Sequence, residues 1–137
     1  MSAAEPLPLP ANSRAAVITG RVLTTLVALF LILDGVMKVL KIEPVLKACA
    51  ELGIPEGQIV GIGITLLACT AIYLLPQTAV LGAILLAGYL GGAAATHVRM
   101  GGPVFPIVFS VSFGVLAWLG LFLREPRLRQ LIPFRSR

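Results

Sequence analysis

Asp34 and Lys38 stand four residues apart inside an otherwise apolar run, Val22–Val39. A second apolar run, Thr78–Val98, closes on Thr96, His97 and Val98 and is followed by Arg99. At bilayer depth an ionisable side chain costs on the order of 3 kcal/mol unless it is paired or reaches water, so such residues mark a functional site by default. An acid four residues before a base is the favourable order for a helical ion pair. His97 is the single histidine of the chain, and an imidazole can relay a proton or donate its ring N–H near neutral pH. Asp34, Lys38, Thr96, His97 and Arg99 therefore form the candidate polar cluster, suited to binding a polar headgroup or passing protons. The same residues also suit a purely structural network. In that reading Asp34 and Lys38 seat the first span, while His97 and Arg99 oppose the dipole and the last carbonyls at a helix C-terminus.

Other chemistries find no support. One histidine and two distant cysteines, Cys49 and Cys69, do not make the four ligands of a closed zinc site. A haem held by two histidines is excluded within one chain, and there is no Cys-x-x-Cys motif for thiol–disulfide exchange. No catalytic residue and no metal ligand is assigned, and no machinery for turnover by the isolated chain is visible.

The elements that must position the cluster are set by composition. Of 137 residues, 58% are hydrophobic and 12% charged, against roughly half and a quarter in soluble domains. Four apolar stretches, at about 21–40, 58–75, 78–98 and 104–123, each match the ~20 helical residues that cross a ~30 Å hydrocarbon core. Only helices satisfy the backbone of such a chain in lipid. The expectation is all-α: an integral membrane four-helix bundle over residues 14–124. Residues 1–13, with Pro6, Pro8 and Pro10, read as a disordered lead-in, and residues 125–137 as a basic cytoplasmic tail.

Between the first two spans, Pro44, Gly53 and Pro55 punctuate a short helix. Val45, Cys49 and Leu52 share one face, and Lys47 and Glu51 are spaced for an ion pair on another. This predicts an amphipathic helix capping the bundle at the outer interface, with an extended loop as the alternative. Ala48-Cys49-Ala50 resembles a signal cleavage site, but Lys38, Lys41 and Lys47 intervene, so the first run stays as a span. Gly57 and Gly61 form a small-residue ridge on the second span with Thr65. Gly88 and Gly92 form another on the third with Thr96, and both ridges are expected to pack helix against helix. No internal repeat supports an inverted-repeat transporter.

Four spans put both termini on one side, with Arg14, Arg21, Arg124, Arg127, Arg129, Arg135 and Arg137. Lys41, Lys47 and Arg99 lie on the other, so positive-inside counting makes both termini cytoplasmic. The net charge of +5 then faces the anionic lipid of the bilayer rather than nucleic acid. Tyr73 and Trp118 fall toward the cytoplasmic ends and read as interface anchors. Asp34, Lys38, His97 and Arg99 all approach the outer end. Lys38 and Arg99 are long enough to snorkel, whereas Asp34 is too short and needs a partner among Lys38, Arg99 and His97. Its expected place is between spans one and three.

The segment Gly88-Tyr89-Leu90-Gly91-Gly92-Ala93 through Thr96-His97-Val98-Arg99, then Gly102-Pro103-Val104-Phe105-Pro106, resembles the DoxX-like family of small bacterial membrane proteins. Asp34-Gly35-Val36-Met37-Lys38-Val39, Trp118-Leu119-Gly120-Leu121 and Arg124-Glu125-Pro126 extend the likeness. The resemblance implies a four-helix bundle in the bacterial cytoplasmic (inner) membrane. It also implies a non-autonomous accessory to redox chemistry, binding a quinone or docking a soluble or membrane oxidoreductase. A non-catalytic scaffold or assembly factor is the other class that the resemblance admits. An apolar-walled pocket at the polar cluster would favour the accessory, and a dry paired network the scaffold.

Overall fold

The computed structural model describes residues 13–131. Residues 1–12, most of the proline-rich lead-in, and residues 132–137 of the tail lie outside the described residues. Six helices follow in order: α1 Arg14–Val39, α2 Glu43–Glu51, α3 Glu56–Leu74, α4 Ala79–Arg99, α5 Val104–Arg124 and α6 Pro126–Leu131. Of these α1, α3, α4 and α5 are long and apolar enough to cross a membrane. α1 starts at Arg14, ahead of its apolar run, because the Ser13 hydroxyl accepts the Ala16 N–H at 3.2 Å and caps the helix.

α2 is the expected short helix, with Pro44 in its first turn. It ends in a Schellman turn, in which Ile54 N–H donates to Cys49 C=O at 2.9 Å and Gly53 N–H to Ala50 C=O at 3.0 Å. Gly53 takes the left-handed conformation that this turn requires, φ 71°. α1 ends the same way on Lys41, φ 50°, a residue with a Cβ where glycine is usual. Lys41 Nζ lies 3.6 Å from Glu56 Oε1 and so ties the end of α1 to the start of α3. Within the expected basic tail, α6 is helical and buries Leu128 in the core. Pro126 suits a first helical position, and the Glu125 carboxylate accepts the Arg127 N–H at 3.3 Å.

Each spanning helix packs on two neighbours: α1 on α3 and α5, and α4 likewise on α3 and α5. The pairs α1/α4 and α3/α5 are therefore diagonals of a square. Pro76-Gln77 makes the tight α3–α4 turn, where Thr78 Oγ1 donates to Ile72 C=O at 2.9 Å.

The packing glycines differ from those expected. A Cβ at Gly57, Gly61, Gly88 or Gly92 would meet nothing within 4 Å, so these ridges make no close contact inside the bundle. The close approaches fall elsewhere. A Cβ on Gly20 would lie 2.7 Å from Gly120 C=O, and one on Gly63 would lie 2.9 Å from Gly35 C=O. α1 is thus pinned to α5 near the end carrying the termini, and to α3 near the α2 end. Small-residue spacing marks where a backbone can approach a neighbour, not which face does so.

Tyr73 is also not an interface anchor. It is 0% exposed, with its hydroxyl donating to Ala117 C=O at 2.7 Å and lying 3.3 Å from Thr24 Oγ1. A side chain at Gly82 would overlap the Tyr73 backbone, so glycine there lets α4 close over it. Leu66, Leu86, Ala117 and Leu121 complete the core around Tyr73, and the Arg124 guanidinium stacks 5.7 Å from its ring centroid. Trp118 is half-buried against the same cluster. This end of the bundle is closed.

Candidate functional site: a polar-lined cavity under the α2 cap

At the α2 end the square is open along its α1/α4 diagonal, and a cavity of about 500 Å³ occupies the space. α2 roofs it with Val45, Ala48, Cys49 and Leu52. Phe30 of α1 and Phe109 and Phe113 of α5 form an aromatic wall, with ring centroids 4.5 to 5.3 Å apart. Asp34 and Lys38 line it from α1, and Tyr89, Thr96 and His97 from α4. Asp34 thus lies on the α1 wall of a cavity that separates the first span from the third. α1 and α4 do not pack on each other, and the cavity lies between them.

Lys38 and Asp34 form an ion pair along one turn of α1. Helical side chains lean toward the N-terminus, so Lys38 is directed back over Asp34 instead of onward to the interface. It does not snorkel. Its side chain is 16% exposed, less than the 29% of Asp34. The Lys38 stem also packs on α3, where a Cβ on Gly63 would come within 2.8 Å of the Lys38 Cβ.

His97 is half-buried at the cavity wall. Thr96 reaches the wall too, but its hydroxyl donates to Gly92 C=O at 2.8 Å. Arg99 is exposed and does not line the cavity, so it leaves the cluster. Positions i and i+2 of a helix point about 200° apart, so with His97 facing inward Arg99 faces away. Sequence proximity to the bundle end placed Arg99 with the others, and helical phase separates it.

Tyr89, Cys49, Ser110 and the three phenylalanines belong to the site and were not among the candidates. A signal existed for the first: Tyr89, Ala93 and His97 recur every four residues and share one face of α4. Ser110 comes from α5, with its hydroxyl donating to Pro106 C=O at 2.9 Å. Cys49 is a free thiol inside the roof, and burial pushes it above the ordinary thiol range, opposed by the nearby Lys38 charge. Among the described residues no three of His, Cys, Asp and Glu converge as a metal centre would require.

The lining is apolar and aromatic, with donors on Tyr89, His97 and Lys38 and an acceptor on Asp34. Such a site favours a flat apolar molecule carrying a few carbonyl or hydroxyl groups.

Four membrane-crossing helices around a polar-lined cavity under a short cap helix define the class of protein. Within that class the family is clear: the model of the DoxX-like family matches residues 22–120, and the chain belongs to it. No curated protein and no solved structure matches the chain.

Proposed function

We propose that this protein is a membrane accessory to redox chemistry that holds a quinone-class ligand in the α2-end cavity and does not turn it over alone. One observation carries the reading: the cavity joins an aromatic wall of Phe30, Phe109 and Phe113 to the polar groups of His97, Tyr89 and the Asp34–Lys38 pair. A quinone ring suits the aromatic wall, and its carbonyls accept from the His97 ring N–H or the Tyr89 hydroxyl. The Asp34–Lys38 pair supplies a fixed dipole beside the ring. Bound quinone would supply two-electron carrier chemistry, with an oxidoreductase partner exchanging the electrons. Arginine asymmetry supports cytoplasmic termini in the bacterial inner membrane, which turns the α2 cap and the cavity outward.

The scaffold reading has one observation in its favour: Asp34 and Lys38 satisfy each other without a ligand. It offers no reason for an open diagonal above a closed core.

The test is extraction of quinones from protein purified in mild detergent, wild type beside His97→Ala. Retained quinone that falls in the variant supports the reading. Wild-type protein that copurifies without quinone and fails to take up an added tailless benzoquinone sinks it.

A further inference from the structure

A second space lies on the outside of the bundle, between α4 and α5. It is a shallow apolar groove of about 590 Å³ whose lining includes Leu90, Gly91, Ser110, Gly114, Trp118 and Phe122. Leu90 and Ser110 also line the cavity, so the two spaces adjoin at these two side chains. Leu90 leans across Gly114, where a Cβ would lie 3.8 Å from its Cδ1. Nothing lies within 4 Å of a Cβ built on Gly91. The groove runs from Ser110, at the level of the aromatic wall, along α5 to Phe122. That is about 18 Å at 1.5 Å per residue, a length suited to a chain rather than a ring.

We infer that this groove carries the apolar tail of the cavity's ligand, which is therefore a ring-headed lipid with a long apolar chain, and that the ligand enters sideways from the bilayer between α4 and α5 past Leu90. The inference rests on the proposed function, because it assigns a tail to the ligand whose head that proposal places in the cavity. The adjacency of the two spaces at Leu90 and Ser110 supports it. A chain leaving the cavity past Leu90 passes directly into the groove, where the missing side chains of Gly91 and Gly114 leave it room. Leu90 is then the gate, and a change of its rotamer opens the passage.

The head and the tail can be read separately. Head occupancy is the protection of Cys49, which lines the cavity, from a small apolar alkylating reagent, with Cys69 resolved by peptide mass spectrometry. Tail position is the site of photocrosslinking by a quinone with a diazirine midway along its isoprenoid chain. Both use the full chain in lipid nanodiscs. The expected result is protection of Cys49 by tailless and tailed quinones with fully substituted rings, to which the thiol does not add, and crosslinks on α4 and α5 between Ala87 and Phe122 that excess unlabelled tailed quinone removes. Gly114→Leu should lower affinity for the tailed quinone about tenfold, the equivalent of roughly two buried methylenes. It should leave the tailless one unchanged. Gly114→Ala, whose Cβ makes an ordinary contact, controls for folding.

Cys49 protection with crosslinks elsewhere, or crosslinks that excess ligand does not remove, overturns the tail assignment and leaves the cavity reading standing. Affinity for the tailed quinone unchanged in Gly114→Leu overturns it as well. Failure of both quinones to protect Cys49 overturns both proposals together.

Discussion

Lys38 is the more buried partner of its ion pair with Asp34, although it has the longer side chain and lies nearer the end of α1. The pair is thus built inward, along the cavity wall, and each charge is neutralised by the other while keeping partial exposure. Asp34→Asn leaves the Lys38 ammonium beside an apolar cavity and should lower stability in detergent by about 2 kcal/mol, less than for a fully buried pair because both groups retain some water. A double-mutant cycle with Lys38→Met should show coupling of roughly 1 kcal/mol, whereas one with Arg99→Gln should be additive. Coupling to Arg99 and none to Lys38 would refute the pairing.

The glycines make opposite predictions at two sets of positions. Gly61→Ala and Gly88→Ala add a methyl in open space and remove backbone freedom from a helix, so each should be neutral or stabilising by up to ~1 kcal/mol. Gly82→Ala drives a Cβ into the Tyr73 backbone and should lower the melting temperature sharply or abolish folding. Thermal unfolding of the three variants in one detergent decides between them.

Cys49 should alkylate slowly near neutral pH. Burial disfavours its thiolate, so its rate should still be climbing at about pH 9, where an ordinary thiol has passed its midpoint near 8.5. The neighbouring charges act with opposite signs. Lys38→Met removes a charge that favours the thiolate and should slow the reaction at a given pH, while Asp34→Asn should speed it. Rates that plateau by pH 8, or that move together in the two variants, would contradict this placement of the thiol.

Topology is testable with single cysteines in a background lacking Cys49 and Cys69. Lys47→Cys, exposed on α2, should react with a membrane-impermeant maleimide in intact spheroplasts, and Ser13→Cys only after lysis. The reverse pattern would invert the orientation and turn the cavity toward the cytoplasm.

The sequence alone determined the parts that depend on local rules. Lipid leaves the backbone no option but helix, so four apolar runs became α1, α3, α4 and α5. Pro44 and Gly53 bounded α2 because a ring-locked φ and a left-handed turn are local requirements. The spacing of Asp34 and Lys38 sufficed for their pair, since both lie on one helix. Which faces meet was decided by the tertiary structure. In a soluble helix the apolar stripe marks the buried side, but α3 and α4 are apolar on nearly every face, and lipid is as good a neighbour as leucine. Hydrophobicity therefore did not distinguish Gly61, which faces open space, from Gly63, which touches α1. Nor did it show that Tyr73 would be sealed beneath Gly82, or that Arg99 would turn away from His97. The cavity belongs wholly to this second level, because it exists where α1 and α4 stand on a diagonal, and a diagonal is a property of four helices together.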